Sequence, residues 1–374
     1  MRGEKQSRDI FLVITNKCNL SCRYCYEHKK DAVSLDVESA RNILRKEFMQ
    51  KERFSAAYVI FHGGEPFLEF ERMRTIAEWV WEEYADLDVK FSVTTNGTMI
   101  SDKAKEWLTS HRDQFVVVLS LDGTRKTHNY NRSNSYDKID FDFFRTCYPA
   151  QPVKMTVGPE TLANLFENYL AIRKMGLIPN PSLAKEVGWD QTRDVAILAQ
   201  ELVKMIRYFL DNPEVVPCGL INLPVEQIVL SNEDNARNCC GAGENIVAYD
   251  VNGHPFPCHA FINYLSPYDE KTIKQFFTAL RTTCQFVAGD CKRCIIYSCC
   301  SPCYGLNYSN RGDIRNIDRN MCALNKIRVL ASAKLKSQML ISPSRYRLTR
   351  DLSKEELADL ARCIKIVFNN LIID

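Results

Sequence analysis

The chain has 374 residues, which is enough for two or three domains. Hydrophobic residues make up 45% of it and charged residues 25%, so it can bury a sizeable core and is not a disordered or fibrous chain. Lysine and arginine number 49 against 46 acidic residues, and this net charge of +3 gives no reason to expect nucleic acid or a membrane surface as a partner.

The cysteine content is the unusual feature of the composition, at 16 residues. No run approaches the ~18 consecutive apolar residues that span a bilayer. The N-terminus is charged and lacks the apolar region of a signal peptide, so we expect a cytoplasmic protein. A chain of this length does not need disulfides to fold there, and its cysteine clusters therefore predict metal sites or catalysts.

Residues 10–183 alternate short β-rich runs with amphipathic helical stretches. The six predicted strands are 10–15, 58–61, 90–95, 115–121, 153–157 and 177–181. Repeats at this spacing predict parallel strands with right-handed crossovers. These repeats predict either a doubly wound sheet or an incomplete barrel. A full eight-unit barrel is excluded because it usually takes about 250 residues, more than this segment has.

The character of the sequence changes after a long predicted helix over 191–212. Residues 216–325 carry eleven of the 16 cysteines, which predicts a small fold stapled by metal. The remainder is helical, and Ser353 with Glu356 forms a capping box for the last helix. The predicted domains are 1–215, 216–335 and a helical tail over 336–374.

The first cluster of metal-ligating residues lies just after the first predicted strand. Cys18, Cys22 and Cys25 have the spacing Cys-x3-Cys-x2-Cys. Three thiolates on one loop can hold three irons of a cubane and leave the fourth iron open, whereas a purely structural cluster normally has four cysteines. The alternatives are buried free thiols or a zinc site completed by a fourth ligand such as His28.

This loop resembles the cluster loop of radical S-adenosylmethionine (SAM) enzymes. Further motifs of that family follow the next three predicted strands: HGGEP at 62–66, TTNG at 94–97, and SLDG at 120–123 with HNYNR at 128–132. The resemblance covers about residues 8–183. It implies an α/β fold, a partial (β/α)6 barrel with its site at the C-terminal ends of the strands, where barrel enzymes keep their chemistry.

The resemblance also implies roles for individual residues. Glu65 would offer a carboxylate to the methionyl amine of SAM, and Arg132 would clamp a carboxylate of SAM or of the substrate. The other predicted SAM contacts are Tyr24 beside the adenine, Gly63 and Gly64 for close backbone approach, and the polar Thr95, Asn96 and Ser120. Taken singly, each of these is also a common core, strand-end, turn or surface residue. In this family a cluster electron cleaves SAM to a 5′-deoxyadenosyl radical, which takes a hydrogen atom from the substrate.

The second group of cysteines resembles the SPASM extension of radical SAM enzymes. That extension holds two auxiliary iron–sulfur clusters. The matching positions are Cys240, Gly253, Cys258, Cys291, Cys294 and Cys322. The next ligand is either Cys299 or Cys300, because each keeps one of the two family spacings and breaks the other. A zinc-stapled module is the alternative for the whole region.

The ligand order of that extension implies two further [4Fe–4S] clusters, three in all with the SAM cluster. The distal cluster would be held by Cys291, Cys294, Cys322 and one of Cys299 and Cys300. The proximal cluster would be held by Cys240, Cys258 and Cys303, with Cys239, Cys218 or no residue as its fourth ligand. A missing fourth ligand would let a substrate thiolate bind iron.

Enzymes with this extension mostly modify peptides and proteins. The chain also resembles anaerobic sulfatase maturases. Yet it lacks the Cys-x5-Cys pair that enters their first auxiliary cluster, and it has His259 directly after the hairpin cysteine, where they have an aspartate as base. These departures favour thioether or carbon–carbon crosslinking of a ribosomally made peptide over formylglycine formation, and a non-enzymatic metal-stapled scaffold is a third alternative. The expected partners are a Cys-containing peptide, an electron donor such as a flavodoxin or ferredoxin, and a separate leader-binding protein, because the first strand begins near residue 10.

Overall fold

The computed structural model describes residues 6–27, 30–49, 54–230, 240–263, 268–281, 291, 294–300 and 302–371. The chain forms two compact units, which are described separately. The first unit comprises 1–154, 175–178 and 241–282, and the second comprises 155–174, 179–240 and 283–374. The predicted cysteine-rich domain is therefore divided between the two units, and the three-domain division stays a prediction.

A parallel sheet forms the centre of the first unit. Its strands are β1 (Gln6–Thr15), β2 (Phe54–Gly63), β3 (Asp88–Thr95), β4 (Phe115–Leu119), β7 (Ile246–Tyr249) and β8 (Pro255–Phe256), in the order β4-β3-β2-β1-β7-β8. The pairs from β4 through to β7 are parallel, and β8 is antiparallel to β7. All six predicted strands are present, and most begin or end a few residues from the predicted bounds.

Helices follow the strands of the first unit. They are α1 (Val37–Phe48), α2 (Phe70–Glu83), α3 (Asp102–Ser110), α4 (Arg125–Asn131), α5 (Phe141–Cys147) and, after β8, α9 (Glu270–Arg281). Phe61, Phe91 and Phe115 stack along one face of the sheet with ring centroids 5.6–6.0 Å apart, next to the helix side chain Trp81. Because side chains alternate across a strand, His62 points to the opposite face.

The β7–β8 hairpin extends the sheet at the free edge of β1. Asp9 pairs with Ile246, and the pairing continues for four residues. The hairpin turns through the DVNG sequence at residues 250–253. A buried network holds it in place, because the Glu47 carboxylate accepts a hydrogen bond from the Tyr249 hydroxyl (2.6 Å) and forms an ion pair with Arg8 (2.8 Å).

Glu47→Ala is expected to lower the free energy of unfolding by about 3–5 kcal/mol, because it leaves the Arg8 charge buried without its partner. The measurement is the melting temperature of the variant beside that of the unaltered chain. Glu38→Ala is the matched control on the same helix, since the Glu38 side chain is 60% exposed and its ion pair with Arg45 contributes at most about 1 kcal/mol. Equal melting temperatures for the two variants would contradict the assignment.

The second unit contains the remaining elements. They are β5 (Val153–Val157), whose first two residues belong to the first unit, and β6 (Pro179–Leu183), with the helices α6 (Leu165–Lys174), α7 (Arg193–Asp211), α8 (Gln227–Leu230), α10 (Tyr304–Arg311), α11 (Arg319–Met339) and α12 (Lys354–Asn370). β5 and β6 form a separate two-stranded sheet. The predicted capping box of Ser353 and Glu356 is present at the start of α12. Among the described helices, none combines the length and the apolar composition needed to cross a membrane.

Candidate cofactor and active site

The loop after β1 brings three predicted metal ligands together. The Cys25 amide donates to the Cys22 carbonyl (3.2 Å), and the Leu20 amide points at the Cys18 sulfur (3.5 Å). Burial raises the pKa of both Cys18 and Cys22, and the neighbouring Cys25 thiol raises each of them further. The three sulfurs therefore lie within electrostatic range of one another, and binding a cation is what would stabilise them all as thiolates.

The turn after α4 anchors the middle of this loop. The Ser21 amide donates to the Ser133 hydroxyl (3.0 Å), and the Arg23 amide donates to the Asn131 carbonyl (3.0 Å). The Arg23 guanidinium lies over the Tyr130 ring, 4.0 Å from its centroid. Ser133 has a positive φ of 53°, which lets the chain turn sharply here. The segment that resembles HNYNR in the family thus acts as a support for the cysteine loop.

The two glycines of HGGEP pack against the start of the cysteine loop. A Cβ on Gly63 would lie 2.1 Å from the Thr15 carbonyl oxygen, and one on Gly64 would lie 2.0 Å from that of Lys17. Both distances are far inside contact, so only glycine fits at either position. The sequence explanation was close approach to a ligand, whereas in the structure the nearby backbone is that of the chain itself.

Glu65 connects the ends of two neighbouring strands. It is buried, and its carboxylate accepts hydrogen bonds from the Thr95 hydroxyl (2.7 Å), the Asn96 amide (2.8 Å) and the Phe67 amide (3.2 Å). Burial raises the pKa of Glu65, and these three hydrogen bonds oppose that rise. Three of about four acceptor positions of the carboxylate are occupied. Its contact with the SAM amine stays a prediction, and only one acceptor position is left for it.

The other polar residues at the strand ends divide into two kinds. The Asn96 side chain donates to Asn19 of the cysteine loop (2.8 Å) and accepts from the Thr98 hydroxyl (2.7 Å). Asn96 therefore helps to hold the cysteine loop in place. Ser120 is 5% exposed, and in the described part of the chain its hydroxyl has no hydrogen-bond partner. Ser120 thus has an uncommitted hydroxyl to offer a ligand, in addition to the one acceptor position left on Glu65.

Arg132 has a carboxylate partner within the chain. Its Nε donates to Asp122 (3.1 Å), and both side chains are buried. The Tyr24 hydroxyl and the Asn131 amide donate to the same carboxylate. The Arg132 guanidinium lies 5.3 Å from the centroid of the Tyr24 ring. The predicted clamp on a ligand carboxylate is therefore occupied at Nε by Asp122, a residue of the SLDG motif that the sequence analysis did not single out.

Burial keeps His128 neutral beneath this ion pair. Burial, together with the smaller effect of the positive charge of Arg132, lowers the pKa of His128 from 6.5 to about 4. The His128 ring lies 3.0 Å from the Ser135 hydroxyl and 3.4 Å from the Asp122 amide. Between pH 6.5 and about pH 4, His128 is thus less protonated in the folded chain than in the unfolded chain.

Acid is therefore expected to destabilise the first unit through His128. The contribution of this residue is complete above pH 6.5, falls as the pH approaches about 4, and amounts to about 3 kcal/mol. His128→Gln should show a smaller loss of melting temperature between pH 7 and pH 4 than the unaltered chain, and His111→Gln should not. If His128→Gln loses as much melting temperature between pH 7 and pH 4 as the unaltered chain, His128 is not the source of the acid destabilisation.

A second group of titratable side chains lies on the face of the sheet opposite the stacked phenylalanines. The His62 Nε2 is 3.0 Å from Glu27, whose other oxygen accepts a hydrogen bond from Asn263 (3.0 Å). The predicted base His259 lies with its ring centroid 4.7 Å from that of His62 and 4.7 Å from that of Phe11. The sequence analysis missed Glu27 and His62, although Glu27 follows Cys25 by two residues and His62 opens the HGGEP motif.

In the second unit, a cavity of about 370 Å³ is lined by cysteines. They are Cys291, Cys294, Cys300, Cys303 and Cys322. Cys299 belongs to a hydrophobic cluster with Val329 and Leu360, and among the described residues it is not part of the cavity wall. Of the two alternatives for the fourth distal ligand, Cys300 is thus the one that faces the other cysteines.

The remaining predicted cluster ligands differ in solvent exposure and in the unit to which they belong. Cys218 is half-buried, and desolvation of its thiol raises the pKa of Cys218 to about 11. Cys240 is exposed in the second unit, and Cys258 is half-buried in the first. Cys239 lies outside the described residues, as does His28.

Residues 12–142 match the family model of the radical SAM superfamily. The radical SAM cyclopropyl synthase TigE of Paramaledivibacter caminithermalis is 22% identical over 358 residues, which cover 86% of this chain and 73% of that protein. The cysteine-type anaerobic sulfatase-maturating enzyme of Clostridium perfringens is 32% identical over 128 residues, 31% of this chain and a third of its own length.

Two solved structures show the same fold. The structure of anSMEcpe with bound AdoMet and Cp18Cys peptide has a TM-score of 0.70 at 18% identity, and the match covers 89% of this chain and 98% of that one. The structure of Streptococcus suis SuiB with its precursor peptide SuiA has a TM-score of 0.58 at 15% identity. That match covers 84% of this chain and 76% of SuiB. The predicted fold class, an α/β radical SAM core with a cysteine-rich C-terminal region, is confirmed.

Proposed function

The chain is a radical SAM superfamily enzyme, and from this premise we propose that it is a peptide maturase that removes a hydrogen atom from a residue of a ribosomally made peptide and installs a thioether or carbon–carbon crosslink. The observation that carries the proposal is the cysteine loop of Cys18, Cys22 and Cys25, which the ends of β1, β2, β3 and α4 hold in one place. When bound there, a four-iron cluster with SAM supplies the 5′-deoxyadenosyl radical that abstracts hydrogen.

The residues of the first unit fit such a group. Three thiolates can hold three irons and leave one iron open for the amine and carboxylate of SAM. Ser120 offers an uncommitted hydroxyl to the ligand, as described above. Arg132 keeps positive charge beside Cys22, where it lowers the pKa of that thiol against the effect of burial. The Asn96 side chain supports the loop that carries the ligands by donating to Asn19, and the Glu65 carboxylate holds the Thr95 hydroxyl and the Asn96 amide in place.

A peptide substrate is supported by the solved relatives, both of which were determined with peptides bound. We propose His259 as the acceptor of the substrate proton, because its ring lies 4.7 Å from that of His62, on the face of the sheet opposite the stacked phenylalanines. In thioether formation the 5′-deoxyadenosyl radical would take one hydrogen atom from a peptide carbon, and closing the C–S bond would release the thiol proton and one electron, for which the proposed auxiliary cluster would be the acceptor. Such a reaction needs a group that takes a proton from the thiol, and a histidine serves this purpose near neutral pH.

Formylglycine formation is the second candidate, because the sulfatase-maturating enzyme and the anSMEcpe structure are both among the relatives. In that reaction the cysteine side chain is oxidised and its sulfur is replaced by a water oxygen, with release of sulfide. The comparisons support the two reactions equally. Sulfatase maturases have a Cys-x5-Cys pair that enters their first auxiliary iron–sulfur cluster, and the absence of a pair at that place in this sequence favours crosslinking.

The second unit is proposed to hold an auxiliary [4Fe–4S] cluster in the cysteine cavity. Its ligands would be Cys291, Cys294, Cys300 and Cys322, since four thiolates complete a cubane. Cys303 lines the same cavity and is one thiol more than that cluster needs. The proximal cluster predicted from the sequence stays a prediction. An electron donor such as a flavodoxin or ferredoxin is the expected protein partner.

The test is an anaerobic reaction of the iron-loaded chain with SAM, a low-potential reductant and a Cys-containing peptide encoded beside it. We expect 5′-deoxyadenosine and a peptide product that has lost two hydrogens and retains its sulfur in a crosslink resistant to thiol alkylation. Loss of sulfur with a new aldehyde would replace crosslinking by formylglycine formation. If no peptide-dependent 5′-deoxyadenosine forms, the maturase proposal is wrong.

A further inference from the structure

Two polar residues of α11 form one wall of the cysteine cavity. The Asn325 amide nitrogen donates to the Cys300 sulfur at 3.7 Å, and the Arg328 guanidinium donates to the Asn325 amide oxygen at 2.9 Å. Arginine has only donors, so its contact requires the oxygen of the amide to face Arg328 and the nitrogen to face the sulfur. Arg328 therefore orients the hydrogen bond that Cys300 receives.

The backbone holds Arg328 itself in place. Its Nε donates to the Leu220 carbonyl (3.1 Å) and its Nη2 donates to the Gly219 carbonyl (3.2 Å). These acceptors are neutral, and in the described part of the chain no carboxylate forms an ion pair with Arg328. The guanidinium is fully charged near neutral pH, so an uncompensated positive charge lies at the wall of a cavity lined by thiols.

The potential of an iron–sulfur cluster is set by its net charge, by hydrogen bonds to its sulfurs and by its exposure to solvent. Reduction adds one negative charge, which a nearby cation and a donor to a ligand sulfur both stabilise. We infer that Asn325 and Arg328 are positioning residues that raise the reduction potential of the auxiliary cluster held by Cys300 and the other cavity cysteines. This inference rests on the proposed function, since it requires that cluster to be present.

The experiment is an EPR-monitored redox titration of the full chain after anaerobic loading with iron and sulfide. Cys18, Cys22 and Cys25 are replaced by alanine in every sample, so that the signal comes from auxiliary clusters only. Arg328→Gln and Asn325→Leu should each lower the ratio of reduced to oxidised cluster at least tenfold at a fixed potential, which is 59 mV for a one-electron couple. Arg328→Lys should restore part of the shift, because it keeps the charge.

Lys334→Gln is the matched control, since Lys334 is an exposed cation on the same helix whose loss should leave the potential unchanged. Unshifted midpoints for Arg328→Gln and Asn325→Leu, with the iron content of the parent chain, would overturn the inference and leave the proposed function standing. A parent chain without auxiliary iron would overturn both. If Arg328→Gln loses iron, Asn325→Leu and Arg328→Lys decide the question, because the first removes the donor and the second preserves the charge.

A further pair of variants tests the ligand that the inference names. Cys300→Ala should lose the auxiliary signal that Asn325→Leu shifts, because it removes a ligand. Cys299→Ala should keep that signal, because Cys299 lies in the hydrophobic cluster. The opposite result would place the cluster out of reach of Asn325 and would overturn the inference.

Discussion

Replacing Cys18, Cys22 and Cys25 together by alanine is expected to abolish the formation of 5′-deoxyadenosine from SAM. The three thiolates are the proposed protein ligands of the cluster that reduces SAM, and a cubane without protein thiolates is not retained. The variant should also lose about four irons per chain relative to the unaltered protein. Product analysis by chromatography and iron analysis of the same anaerobic preparation measure the two effects.

The fold of the loop should survive this change, because its anchors do not involve the cysteine side chains. The Ser21 and Arg23 amides keep their acceptors on the turn after α4, and the Lys17 carbonyl keeps the Glu65 amide. Cys147→Ala is the control, since it removes a buried thiol of the same unit far from the loop in sequence and should keep full SAM cleavage. A triple variant that still cleaves SAM at the original rate would show that the cluster assignment is wrong.

The iron content of the same triple variant gives the number of auxiliary iron–sulfur clusters. Two cubanes, as the sequence predicts, should leave about eight irons per chain and an EPR signal on reduction, and a single cubane in the cysteine cavity should leave about four. A zinc-stapled module should instead leave almost no iron, and metal analysis should then show zinc. The cavity proposal fails in that last case.

His259→Ala is expected to lower peptide product formation by about 10²–10⁴-fold, because a positioned proton acceptor typically contributes a factor of this size. Hydrogen abstraction precedes the step that needs the base, so 5′-deoxyadenosine should continue to form in excess over product. The ratio of 5′-deoxyadenosine to modified peptide, measured in one reaction, separates loss of the base from loss of the cluster. It should rise in the variant and stay near its original value in a variant that is merely less stable.

His254→Ala is the matched control for this prediction. His254 belongs to the same hairpin, where it stacks on Tyr268 and contacts Asp250 (3.2 Å), and its loss should leave the ratio unchanged. His259→Gln tests the chemistry more narrowly, because glutamine keeps the size and polarity of the side chain without a titratable group. Unchanged coupling in His259→Gln would exclude His259 as the base.

The sequence by itself determined the order of strands and helices and the kind of site. Short continuous apolar, β-rich runs such as 10–15 and 58–61, alternating with helical stretches, are typical of buried parallel strands, and the structure has strands at all six predicted places. The predicted ligands of the first site, Cys18, Cys22 and Cys25, occur on one short loop, so their spacing alone indicated an iron–sulfur cluster. The capping box of Ser353 and Glu356 was also readable, because its hydrogen bonds join residues three apart.

Only the tertiary structure decided which side chain each polar residue meets. Arg132 could not be matched to Asp122, nor His62 to Glu27, from their positions in the sequence, since the geometry of the strand ends determines these contacts. Cys299 and Cys300 are adjacent and chemically identical, and their spacing left both open. In the structure Cys300 lines the cavity, whereas Cys299 is buried among apolar side chains of α11 and α12, which lie 30 to 70 positions further along the chain. This difference favours Cys300, and the choice of ligand stays a prediction. Local patterns report the type of a site, whereas its partners follow from long-range packing.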